Sequence, residues 1–158
     1  MGQAHFSLFK MDSKQLKETL ASIKHDFFAY RNGMVSDALK KAGYPYKLIY
    51  GLQLPQLSEI AKKLPSDMAL AEKLWQDKDT RESRLLSFFL FPKELMGIKK
   101  AKELIEDLQT REEAEILVFR LFRHLPFTLS LSETIKKSNP DNPIISYCHE
   151  LVSKSFNS

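Results

Sequence analysis

The side chains best suited to chemistry in this sequence are small groups of basic residues and one run of carboxylates. Lys40 and Lys41 stand close to Lys47, Arg81 and Arg84 are three apart, and Arg120, Arg123 and His124 fall together. Residues three or four apart share a helix face, so Arg81 and Arg84 would present two guanidinium groups side by side. Cations repeated along one face of a helical array would track a phosphate backbone. Lys40, Lys41, Lys47, Arg81, Arg84 and Arg120 are therefore the candidate nucleic-acid-binding residues. The same residues are what a solvated helix face carries, and several sit where a helix C-terminus favours positive charge. That plainer reading suits Lys62-Lys63 and Lys136-Lys137. The carboxylates Glu112, Glu113 and Glu115 open a helix, where acids stabilise the N-terminal dipole. Glu115 lies beside the apolar stripe of Ala114, Leu117, Val118 and Leu121, so partial burial is conceivable. A carboxylate placed there, facing a basic groove, would stabilise a developing cation, which makes Glu115 the candidate catalytic residue.

Other chemistries lack their residues. The glycines are scattered and never approach the spacing of a phosphate loop. His5, His25, His124 and His149 are far apart, and Cys148-His149 are neighbours that point differently on a helix, so no metal is expected and no cofactor. A nucleophile elbow and a Ser-His-Asp order are missing. Cys148 is the single cysteine, which excludes an internal disulfide and suits a reducing compartment. The first ten residues carry no long apolar segment of the signal-peptide kind. The longest near-continuous apolar run, Leu85 to Phe91, is far too short to cross a bilayer. A soluble cytoplasmic monomer is the expectation.

The elements that must position these residues read as helices. Of 158 residues, 43% are hydrophobic, which permits a packed core, and eleven Phe against five Gly favour helix packing over turn-rich β structure. A net charge of +4 leans basic and permits a polyanionic partner. Leu16, Leu20, Ile23, Phe27 and Tyr30 recur at helical steps, and Asn32-Gly33 would end that helix in left-handed geometry. A shorter helix runs from Met34 to Ala42. Tyr44 to Leu54 has strand-like composition but nothing to pair with, so it reads as an ordered connector. Pro55 opens a helix to Leu64, and Met68, Ala71, Leu74 and Trp75 form the next stripe. Asp79 with Glu82 suggests a capping-box-like start to a helix that is apolar almost all round from Leu85 and stops at Pro92. Leu95, Ile98, Ala101, Ile105 and Leu108 define another helix. Thr110 with Glu113 caps one that carries Ala114, Leu117, Val118, Leu121, Phe122 and Leu125. Phe127 to Lys137 follows, and Asp141-Asn142-Pro143 opens the last.

No β pattern survives, so the fold class is all-α. Start signals at Asp79, Thr110 and Asp141-Asn142 recur about 31 residues apart, a period that suits helical-hairpin repeats. HEAT-like repeats forming an α-solenoid are expected, with residues 1–11 as a flexible arm and 12–158 as a single repeat domain.

Two ordered elements also resemble a known family. Tyr46 to Leu57, followed by Ile60-Ala61-Lys62, is similar to the YG-x-x-x-P-x-L-x-x-IAK element of DNA alkylation repair enzymes of the AlkD-like group. Leu74-Trp75 followed by Arg81-Glu82 resembles their LW…RE element. The likeness covers roughly Met34 to Pro126. It implies HEAT-like repeats whose basic concave face holds duplex DNA, and hydrolysis of the glycosidic bond of N3- or N7-alkylated purines without extrusion of the base. Family catalysis relies on a carboxylate and tryptophans near the lesion, with arginines from later repeats. Here Thr110 to Ile116 carries no tryptophan, Glu115 is the nearest counterpart of the carboxylate, and the late arginines are not found. Trp75 matches the structural tryptophan of the LW pair, which places it in the core. DNA binding associated with alkylation repair is thus the expected function, with or without alkylpurine excision. A non-catalytic protein-interaction scaffold is the alternative.

Overall fold

A computed structural model describes residues 10–157, which contain nine α-helices, two short 3-10 turns and no β-strand. Most of the expected N-terminal arm lies outside the described residues; Met11 donates its amide to Asp67 Oδ2 at 3.4 Å. The chain divides into two compact units that meet in sequence between Pro92 and Lys93.

The first unit holds α1 (Ser13–Ala29), α2 (Gly33–Lys41), α3 (Leu54–Lys62), α4 (Met68–Gln76) and α5 (Arg81–Leu90). Its starts are written locally. Asp12 and Gln15 exchange side-chain-to-amide bonds at the head of α1, and Asp67 Oδ1 accepts from Leu70 N–H at α4. Asn32 does not end α1 in left-handed geometry. It is extended and caps α2, its Oδ1 accepting from Met34 and Val35 N–H. Ile23 and Phe27 of α1 are buried, whereas Tyr30, expected on the same stripe, is exposed because α1 stops at Ala29.

The unit is organised around α5, in which every residue but Phe89 is buried. It packs on α3 and α4, and α1 covers α4. The segment from Gly43 to Gln53 is not helical, and its pairing explains why. Leu48 N–H donates to Asp79 C=O at 2.9 Å and Arg81 N–H returns to Leu48 C=O at 3.1 Å, an isolated bridge rather than a strand. Past the bridge the chain curls over Glu82, whose Oε1 accepts from Tyr50 N–H at 3.0 Å. Its Oε2 accepts from Gly51 N–H at 3.0 Å and Leu52 N–H at 3.2 Å. Gly51 sits at φ +90, and a Cβ there would come 2.3 Å from Asn32 O. Only glycine satisfies both the backbone angle and the close approach of the α1–α2 junction.

The expected cap on α5 is therefore corrected. Thr80, not Asp79, is the N-cap and makes no side-chain cap bond, while Glu82 turns inward to gather the connector. Burial of the carboxylate is tolerable because its acceptor sites are filled by three amides and a guanidinium. We expect Glu82→Ala to cost about 3–5 kcal/mol, since it leaves the buried Arg81 guanidinium without this counter-charge and removes the acceptor of three amides. The urea midpoint measures this; a loss below about 1 kcal/mol would show that the connector is held by other means.

The second unit holds α6 (Ile98–Glu106), α7 (Arg111–Arg120), a 3-10 turn at Phe122–His124, α8 (Thr128–Ser138) and α9 (Pro143–Asn157). Here α9 packs on α6, α7 and α8, and α6 also packs on α8. Thr110 Oγ1 accepts from Glu113 N–H at 3.0 Å, while the Glu113 carboxylate reaches Gln109 N–H at 2.8 Å. Asn142 Oδ1 accepts from Ile144 and Ile145 N–H, with Pro143 as the first helical residue. The stripe expected to start at Leu95 starts later. Leu95 and Ile98 are exposed, and Ala101, Leu104 and Ile105 carry the packing, because α6 begins only after Gly97. The Thr110 helix also ends early, at Arg120. Buried Thr128 Oγ1 then bonds to the carbonyls of Phe122 and Leu125, each at 2.8 Å, and fixes the turn.

Candidate functional site

Arg81 and Arg84, expected to offer guanidinium groups to phosphate, face inward. Arg81 is 4% exposed, and its Nη1 donates to Leu52 C=O at 2.9 Å and Glu82 Oε2 at 2.6 Å. Arg84 has no exposed surface; its Nη1 donates to Trp75 C=O at 2.9 Å and its guanidinium lies 5.6 Å from the Trp75 ring centroid. Both are spent on holding α4 and the connector to α5, and neither meets solvent. Lys40 and Lys41 are exposed in the last turn of α2. Lys47 is exposed too, 3.8 Å from Asp79 Oδ2, a surface pair worth at most about 1 kcal/mol.

In the second unit Glu115 is exposed, not half-buried, because the helix turns Ala114 and Ile116 inward on either side of it. Its Oε2 accepts from Tyr147 O–H at 2.6 Å, and the Arg111 guanidinium lies 3.9 Å from the Tyr147 ring centroid. The bond to the carboxylate, with burial and its negative charge, raises the Tyr147 pKa against the opposing pull of Arg111. Glu115 is thus a hydrogen-bonded surface carboxylate with a cation nearby.

Arg120 ends α7 and belongs to a denser basic group than the sequence indicated. Burial first, then the charges of Lys93, Arg123 and Arg120, hold the His124 pKa below its ordinary 6.5. Arg123 Nε donates to His124 Nε2 at 3.4 Å, and its guanidinium stands 4.4 Å from the centroid of Phe119, a ring that is 50% exposed. The alternation Phe119-Arg120…Arg123-His124 was readable as a basic and aromatic interleave, but Lys93 is remote in sequence and only the fold brings it in.

A second group lies on α8 and α9. His149 Nδ1 is 2.9 Å from Ser132 Oγ, and its Nε2 is 3.4 Å from Ser153 Oγ, beside an open groove of about 510 Å³ shared with Arg111, Lys136 and Tyr147. Burial, then Lys136, lowers the His149 pKa, with Glu133 opposing. Cys148 is buried, which pushes its thiol up to about 12 and keeps it protonated and unreactive. Among the described residues no group of His, Cys, Asp and Glu is arranged to hold a metal, and no helix is long and apolar enough to cross a membrane.

Comparison of the chain with protein-family models, with curated proteins and with solved structures found no match.

The two depressed histidines link stability to pH. Above the unfolded value near 6.5 both are neutral in either state, and the contribution is fully present. As pH falls below about 6.5 the unfolded chain takes up protons first, so stability declines until the lower folded values are passed. We expect the denaturation midpoint to fall between about pH 7.5 and 5.5, and the His124→Gln, His149→Gln double variant to flatten that part of the slope.

Proposed function

We propose that the protein is a HEAT-like helical-repeat protein of the DNA alkylation repair type, and that it binds duplex DNA through the phosphate backbone. The observation that carries this reading is the basic group at the end of α7, where Arg120 stands in the last turn, Arg123 Nε donates to His124 Nε2 at 3.4 Å, and Lys93 adds its charge at His124. Cations gathered on one surface attract a row of phosphates, whose binding releases counterions. The net charge of +4 is of the sign that favours a polyanion, and the first unit by itself exposes Lys40, Lys41 and Lys47. Helices paired through short connections, α4 with α5 and α8 with α9, suit a repeat architecture. The paired Tyr46–Leu57 and Leu74–Glu82 elements are the further support. They serve the architecture, since the Arg-Glu of the second grips the backbone of the first.

Excision of alkylated purines within this reading rests on Glu115. An exposed carboxylate beside Arg111 would stabilise the positive charge that develops on the sugar as the C1′–N bond breaks, the alkylated base leaves and water adds at C1′, provided Tyr147 releases it. One observation favours a protein-binding scaffold instead: an open groove of about 700 Å³ in the first unit, lined by Phe28, Leu48, Ile49 and Tyr50 with Arg31 at its edge. The two readings separate by salt.

Titration of a labelled duplex across salt tests the proposal. We expect log affinity to fall with log salt, and the Lys93→Ala, Arg120→Ala, Arg123→Ala variant to reduce that slope by roughly 3. Binding that is absent or indifferent to salt would overturn the duplex reading in favour of the scaffold. Release of methylated bases that Glu115→Gln leaves unchanged would remove Glu115 from any excision.

A further inference from the structure

The basic group around His124 contains one residue that phosphate binding does not need. On α7 the residues before Phe119, namely Ile116, Leu117 and Val118, are all buried, yet Phe119 turns a half-exposed ring outward. It is held there by a cation: the Arg123 guanidinium lies 4.4 Å from the ring centroid, an arrangement that orients the ring and lengthens the flat surface it offers. Arg120 adjoins it in sequence, and Lys93 adds its positive charge at His124.

A flat π surface set among cations is how proteins hold nucleotides whose bases are out of the stack. The cations take the phosphates, and the ring takes the base face whatever its identity. A regular duplex leaves such a ring unused, because its base faces are covered by their neighbours. We infer that Phe119 and Arg123 form a stacking platform, and that the DNA bound at this surface is DNA with an unpaired base, as in a bulge or a single-stranded stretch. The inference rests on the DNA-binding reading above and narrows its substrate. Phe119 supplies the stacking surface, Arg123 fixes the ring and shares the stack, and Lys93 and Arg120 place the flanking phosphates. Discrimination between damaged or distorted DNA and intact duplex then arises from stacking, with no pocket required.

Fluorescence anisotropy with the full chain tests this on three labelled probes of equal length: a plain duplex, the same duplex with one bulged base, and a single strand. The wild type is expected to bind the bulged and single-stranded probes more tightly than the plain duplex. Phe119→Ala should weaken those two on the order of tenfold while leaving the plain duplex and its salt slope unchanged. Phe119→Leu, which keeps apolar bulk without a π face, should behave like Phe119→Ala, and circular dichroism of both variants checks that the fold is kept. Equal affinity of the wild type for all three probes, or Phe119 variants that lose nothing on the unpaired probes, would overturn the platform while the duplex reading stands. Salt-independent or absent binding to every probe would overturn both.

Discussion

A carboxylate with no exposed surface must have its charge answered from within the protein, and Glu82 is answered four times over. Three successive amides, from Tyr50 to Leu52, converge on its two oxygens, and Arg81 closes the ring from the same helix. Much of the first unit follows from that requirement. The connector cannot be helical, because its amides must point together rather than along an axis. Gly51 must be glycine, because the curl that aims those amides brings its α-carbon against Asn32. The α1–α2 junction is drawn in as well, through Asn32 N–H to Tyr50 C=O at 2.8 Å and Ser36 Oγ to Ile49 C=O at 2.7 Å. One buried charge thus sets the path of a non-helical segment and the place where two helices meet it.

The helices themselves were largely legible, because apolar spacing and caps are local signals. Ala114, Leu117, Val118, Leu121, Phe122 and Leu125 are all buried as the pattern required, although the helix that carries them stops at Arg120. Asn142-Pro143 opens the last helix as written. What the pattern could not convey was direction. A helix surrounded on every side has no polar face, so Arg81, Glu82 and Arg84 looked like a solvated first turn when they are interior hydrogen-bonding groups. Asp79 and Glu82 have the spacing of a cap, but spacing cannot tell that a carboxylate will be claimed by amides some thirty residues upstream. The same limit hid the place of Lys93 beside Arg120, Arg123 and His124, a group otherwise visible in the sequence, since Lys93 is far from them along the chain.

The two units spend their cations differently. In the first, Arg81 and Arg84 are consumed internally, Arg31 lies 3.8 Å from the exposed Phe28 ring, and the other exposed cations are lysines. In the second, Arg111 and Arg123 each rest against an exposed or half-buried aromatic ring, so their guanidinium groups are oriented rather than mobile. Preorganised cations lose less freedom on meeting a ligand than lysines do, and the second unit groups its oriented Arg123 with Arg120 and Lys93.

The Glu82 cradle also bears on the order in which the chain is made. Its donors leave the ribosome well before its acceptor, since Tyr50 precedes Glu82 by 32 residues. Until α5 has emerged, the connector's converging amides have no acceptor, and only its carbonyls can be tied, by Asn32 and Ser36. The charge that closes the first unit is thus supplied near the end of that unit's own synthesis, after the amides that answer it have been made.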